Sequence, residues 1–132
     1  MKLSRSAGYG LVAAAYVAQK CKTGPVLASR IADDYGIPLE YLLKIMQQLV
    51  RINVFRSKRG PRGGFVLARP ASEITMLEII EAVDGPLSGY LQMAEQTHNA
   101  RFSVRMEGVC RKAAKEARAV YEKAKLSRLI GE

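Results

Sequence analysis

The chain contains no tryptophan, one histidine and only two cysteines in 132 residues. Cys21 and Cys110 lie far apart and outside any CxxC, which disfavours a disulfide framework, a zinc ribbon and a dithiol redox centre. With a single histidine there is no Ser-His-Asp or Cys-His constellation. The carboxylates do not cluster for catalysis, and no phosphate loop is present, so an enzyme is not expected. Long apolar runs are also missing: Tyr9 to Val17 falls well short of the ~20 residues that a membrane span needs. Lys2 and Arg5 precede that apolar segment, but no small-residue cleavage site follows before Lys20 and Lys22, so no secretory leader is expected. These absences point to a cytoplasmic protein without membrane association.

Acid is scarce where base is abundant. Residues 1–69 carry twelve basic and three acidic side chains, residues 70–100 five acidic and no basic ones, and residues 101–132 nine basic and four acidic. The whole chain has a formal charge of +9. Hydrophobic residues make up 48% and charged residues 25%, enough for one globular domain, with or without an appendage. A basic first half is the electrostatic footprint of a polyanion partner.

Tyr9, Val12, Ala13, Tyr16 and Val17 recur at helical spacing, predicting a helix over 3–19 that Ser4 can cap and Gly24-Pro25 ends. A second helix is predicted over 27–35, with Leu27, Ala28, Ile31 and Tyr35 inward and Gly36 at its left-handed end. Pro38 then opens a third helix to about Ile52. Leu42, Ile45, Met46 and Leu49 form its apolar stripe, and Glu40, Lys44, Gln47 and Arg51 form its polar one. Two such helices joined by a tight glycine turn have helix-turn-helix spacing.

Two short strands are predicted next, over 54–58 and 65–68, around Arg59-Gly60-Pro61-Arg62-Gly63-Gly64. This reads as a β-wing. Residues 51–69 hold six basic side chains and no acid, among them Arg56, Lys58, Arg59 and Arg62. Glycine lets the tip approach a phosphate row, and arginine is favoured in a narrow minor groove. A further helix is predicted over 72–84, with a Thr75–Glu78 capping box and Ile74, Leu77, Ile80 and Val83 inward. Its acids face away from the polyanion and can support the wing.

The predicted architecture is mainly α with a small β-wing: a winged helix-turn-helix over 1–85, a sensor-type loop over 86–102 with a helical turn near 91–95, and, over 103–132, a long helix from Ser103 to about Leu129 with its tail. Met106, Cys110, Ala113, Ala117, Val120 and Ala124 form a heptad-like seam on that helix, widened by Val109, Ala114 and Tyr121. So wide an apolar stripe calls for a cover. A second subunit fits better than a fold back onto the same domain, since dimers read paired half-sites.

Several segments resemble the IscR/NsrR/CymR family of bacterial winged-helix transcription regulators. They are Met1-Lys2-Leu3-Ser4 with Tyr9, Gly36-Ile37-Pro38, Tyr41-Leu42-x-Lys44-Ile45, Arg59-Gly60-Pro61-Arg62-Gly63-Gly64-Phe65 and Glu78-Ile79-Ile80-Glu81-Ala82-Val83-Asp84-Gly85. The resemblance implies a homodimer on double-stranded DNA with crossed C-terminal helices, recognition helices in successive major grooves and wings at the minor groove. It places Lys2, Ser4, Tyr9 and Tyr41 at phosphates, Lys44 and Gln47 at base edges and Arg59 at the minor groove. The expected function is that of a sequence-specific repressor.

Two departures stand out. Leu43 occupies the position where many relatives place a glutamate able to accept from cytosine, so a different base preference is expected. Cluster-binding relatives carry three cysteines in the loop before the long helix, but this loop has none. Val104 and Glu107 stand where the last cysteine and a histidine would fall. No cofactor is therefore expected, and an iron–sulfur cluster is disfavoured. Tyr90, Met93, His98, Phe102 and Cys110 are the candidate region for a small-molecule or protein effector. Two alternatives remain at this stage: a winged module controlled by a partner protein, and a redox or cluster sensor using Cys110 with non-cysteine ligands.

Overall fold

A computed structural model describes residues 2–131. Helices α1 (Arg5–Lys20), α2 (Ala28–Tyr35) and α3 (Leu39–Arg51) precede strands β1 (Phe55–Lys58) and β2 (Gly64–Leu67). Helices α4 (Met76–Asp84), α5 (Arg101–Lys123) and α6 (Leu126–Leu129) follow. This is the expected mainly helical winged fold with a long helix near its C-terminus.

Ser4 caps α1 as expected, its hydroxyl accepting from the Ala7 N–H at 3.0 Å. The buried face is Ala7, Gly10, Ala13, Ala14, Val17 and Ala18, with Tyr16 at its edge. Ala13, Tyr16 and Val17 of the predicted stripe are buried, but Val12 is 40% exposed. The inner face is built from small residues because α1 lies close against α3 and α4, with Gly10 facing Ile45, Ile79 and Val83. A reading by hydrophobic size finds part of this side but misses Ala7, Gly10, Ala14 and Ala18.

Helix α2 ends at Gly36 in the left-handed region (φ 64°) and buries Ala28, Ile31 and Ala32. Leu27 and Tyr35 are exposed, contrary to expectation. Leu27 is the extended N-cap residue and has no helical face. The Tyr35 ring stands edge-on to Tyr16 at 5.9 Å, on the rim of the core. Helix α3 buries Leu42, Ile45, Met46 and Leu49, the predicted stripe, with Pro38 at the N-cap rather than inside the first turn.

The wing pairs β1 and β2 antiparallel, with Phe55 opposite Leu67 and Lys58 opposite Gly64. A bridge that the sequence does not announce joins it to the chain ahead of α2. Val26 donates to the Phe65 carbonyl at 2.9 Å and accepts from the Phe65 N–H at 2.8 Å. Gly64 (φ 146°) is needed there, because a Cβ would come within 2.7 Å of the Val26 carbonyl.

The predicted fourth helix begins as a 3-10 turn over Ala71–Glu73. Helix α4 proper then starts behind the complete Thr75–Glu78 capping box. Ile74, Leu77, Ile79 and Ile80 are buried, while Val83 is only partly so.

The long helix is shorter than the predicted span to Leu129. Past Lys123 the chain becomes extended, Ala124 accepting from Met76 N–H at 2.9 Å and Leu126 donating to the Ile74 carbonyl at 2.8 Å. Leu126 is buried in the central core. Burial of Leu126 and pairing with the segment before α4 hold the chain out of helical geometry. The turn in the preceding loop covers 94–99 rather than 91–95.

Candidate nucleic-acid interface

Exposed α3 side chains and the first turn of α1 enclose a groove of about 600 Å³ lined by Ser6, Tyr41, Lys44, Gln47 and Arg51 among others. Four of the predicted contact residues are therefore brought together on one surface. Glu40 shares that exposed side, at the N-terminal turn of α3. Tyr41 is fixed on two sides: its hydroxyl shares a hydrogen bond with Ser6, and its ring meets Tyr9 edge-on at 5.8 Å. Leu43 is exposed beside this groove. Ser6 carries no distinctive signal in the sequence beyond its place in the first turn of α1.

Lys2, Ser4 and Arg5 border a second groove with Asp84 and Leu87. The backbone N–H of Ser4 donates to Asp84 Oδ2 at 3.0 Å, and its hydroxyl donates to the other oxygen of the same carboxylate. Its oxygen meanwhile caps Ala7. The Ser4 hydroxyl predicted to meet a phosphate is thus already engaged in ordering the start of α1, while Lys2 is exposed beside it.

Arg56, Lys58, Arg59 and Arg62 are all exposed on the wing, and among the described residues none of them is in an ion pair. Gly63 donates to the Gly60 carbonyl at 2.9 Å and closes the tip. Arg69, the sixth base of this segment, behaves differently. It is partly buried and paired with Glu78. The other acids of α4 are also engaged. Glu81 accepts from Leu87 N–H at 2.9 Å and pairs with Arg118 of α5, and Asp84 holds Ser4. Internal pairing of the α4 acids leaves the wing and the polar stripe as a cationic surface.

The predicted effector residues lie mostly at the surface. Tyr90 is 74% and Phe102 59% exposed, Met93 and His98 are exposed, and Cys110 is half-buried. The loop itself is laid along α5. Ala94 N–H donates to Glu107 at 2.8 Å, and Thr97 donates to buried Ser103 at 2.7 Å. Gly89 lies on the Cys110 backbone so closely that a Cβ would collide with its carbonyl oxygen. On α5 the predicted seam splits. Met106, Ala113 and Val120 are exposed, whereas Cys110, Ala117 and Ala124 are half-buried.

Among the described residues no helix is long and apolar enough to cross a membrane. The Rrf2 family, described as iron-dependent transcriptional regulators, matches residues 3–132. The HTH-type transcriptional regulator IscR of Klebsiella pneumoniae is 38% identical over 84 residues, 64% of this chain and 52% of that protein. The chain thus spans about half the length of the curated relatives it matches. The structure is similar to that of CymR, the global cysteine regulator of B. subtilis, with a TM-score of 0.81 at 25% identity over 98% of this chain and 96% of that one. IscR of T. potens is similar at a TM-score of 0.74 and 25% identity, over 98% and 86% of the two chains. All three are regulators rather than enzymes.

The iron in the family description can be tested against the donors present. A cluster is held mainly by thiolates, yet loop 86–102 has no cysteine. Glu107 is engaged by Ala94, and among the described residues no group of three or more His, Cys, Asp or Glu side chains could hold a metal ion. These residues do not fit the thiolate cluster of the cluster-binding relatives. The match along the chain and the winged fold agree: the chain belongs to the Rrf2 family of transcriptional regulators.

Proposed function

We propose that the protein is a homodimeric, sequence-specific repressor that works without an iron–sulfur cluster. Helix α3 enters the major groove, where Glu40, Lys44 and Gln47 discriminate bases. The wing lies along the minor groove through Arg59 and Arg62, while Arg51, Arg56, Lys58 and Lys2 supply phosphate affinity by releasing counterions. Tyr9 and Tyr41 brace the start of α3 against the backbone. Input comes from a small molecule or a protein acting on the loop around Tyr90, Met93, His98, Phe102 and Cys110, which rests on α5. The observation that carries this reading is the exposed, unpaired row of wing bases, set beside α4 acids that are engaged internally. A protein-binding wing would have no need of that charge.

Selection of duplexes from a random pool, followed by anisotropy titration at several salt concentrations, tests it. Arg59→Ala with Arg62→Ala is expected to weaken binding and to flatten the log K against log[salt] slope by about two units. Lys44→Ala is expected to change which duplexes are preferred. No enriched duplex, or an unchanged slope in the wing variant, overturns the proposal.

A further inference from the structure

Of the six bases between residues 51 and 69, Arg69 alone is not exposed. Its Nε donates to the Asn53 carbonyl at 3.0 Å and one Nη to the Glu73 carbonyl at 3.1 Å. The other Nη pairs with Glu78 Oε1. Each partner belongs to a different piece of the fold. Asn53 is the left-handed residue (φ 62°) where the chain leaves α3 for the wing. Glu73 closes the 3-10 turn that follows the wing. Glu78 opens α4, and its second oxygen accepts from Thr75 N–H at 2.9 Å. One planar guanidinium therefore joins the exit of the recognition helix, the exit of the wing and the start of the supporting helix.

A hairpin of two four-residue strands is marginal by itself, so its direction is set at its base. The Val26–Phe65 bridge ties β2 to the chain ahead of α2, the Val54 N–H donates to the Leu49 carbonyl of α3 at 3.0 Å, and the Ala68 N–H to Val54 carbonyl bond closes the base of the hairpin. The Arg69 fork adds the tie to α4 and to the turn by which the chain leaves α3. Its charge is neutralised by Glu78 and its side chain is mostly withdrawn from solvent, which suits a brace better than a phosphate contact.

We infer that Arg69 is a positioning residue for DNA reading. It fixes the angle between wing and recognition helix so that both engage one duplex. The inference rests on the DNA-binding role proposed above and adds a determinant that touches no DNA.

Glu78→Gln separates this role from simple electrostatics. Glutamine at the third helical position preserves a capping box, so α4 keeps its start. The substitution also removes a negative charge, which alone would tighten binding to a polyanion. Positioning predicts the opposite, about fivefold or more weaker binding to the selected duplex. Arg69→Lys keeps the charge and loses the fork, so it is expected to weaken binding like Arg69→Ala. In the Arg69→Ala background, Arg59→Ala is expected to cost much less than it does in the unaltered protein, because a misdirected wing has already lost its contact. Circular dichroism melts confirm that each variant is folded at the titration temperature, and loss of stability alone does not produce this coupling. The inference is overturned if Glu78→Gln binds as tightly as the unaltered protein or tighter, if Arg69→Lys is silent, or if Arg69→Ala and Arg59→Ala add. If the unaltered protein prefers no duplex, the DNA-binding proposal itself fails, an outcome distinct from these three.

Discussion

Tyr16 shows how much one part-buried hydroxyl can organise. Its O–H donates to Asp34 Oδ2 at 2.6 Å and so ties α1 to α2, the first helix of the helix-turn-helix pair. The Asp34 carboxylate holds the phenol proton, and burial adds to the effect, so the Tyr16 pKa lies above its ordinary value of 10.0. The unfolded chain gives up that proton more easily than the folded one. The stabilisation is therefore complete below about pH 10 and is lost as pH rises from there through the folded-state pKa. Tyr16→Phe is expected to cost about 1 kcal/mol at pH 7, since one hydrogen bond to an exposed carboxylate is lost. It is also expected to make the decline above pH 10 shallower. Urea denaturation at pH 7 to 11 checks both, and parallel declines in the two proteins would show that this hydroxyl carries no alkaline sensitivity.

At the scale of elements, the sequence is readable where local chemistry decides. The capping box before α4, the glycine end of α2 and the 3.6-residue stripe of α3 are each written in adjacent residues, and each forms where expected. Ser4 at the start of α1 and the glycine-rich wing tip belong with them. Readings that depended on a distant partner failed. Nothing local says that Ala7, Gly10, Ala14 and Ala18 of α1 turn inward, or that Tyr35 lies on the rim against Tyr16. The site divides the same way: its exposed lysines, arginines and polar stripe were visible, but Ser6 behind Tyr41 and Asp84 behind Ser4 become partners only through the fold. The length of α5 is the clearest case, because its heptad pattern continues past the point where the helix stops. Leu126 decides that boundary by burying itself in the core of the winged domain. Leu126→Ala is accordingly expected to cost about 2–4 kcal/mol in thermal or urea unfolding. A cost under about 0.5 kcal/mol, the scale of a surface change, would mean that the last helix is only loosely attached.

For the molecule as a whole, α5 has two faces with different fates. Ser103 and Ala114 are buried, Glu107 holds the 86–102 loop and Arg118 pairs with Glu81 of α4. Phe102, Met106, Val109, Ala113 and Val120 follow one another at three-, four- and seven-residue steps on another face and are exposed, Val109 and Val120 each at 68%. A helix anchored on one side and apolar on the other is suited to meet its own copy across a twofold axis. Such pairing would present two cationic wings and two recognition helices at a fixed separation, which converts one modest contact set into a reader of paired half-sites. Val109→Glu together with Val120→Glu places two charges in that seam without touching the winged core. The double variant is expected to sediment as a folded monomer at micromolar concentration and to bind a duplex with two half-sites no better than one with a single half-site. If the unaltered protein is itself monomeric, or if the variant still pairs, the exposed face of α5 is not where the subunits meet, and the spacing of half-sites must be set by some other surface.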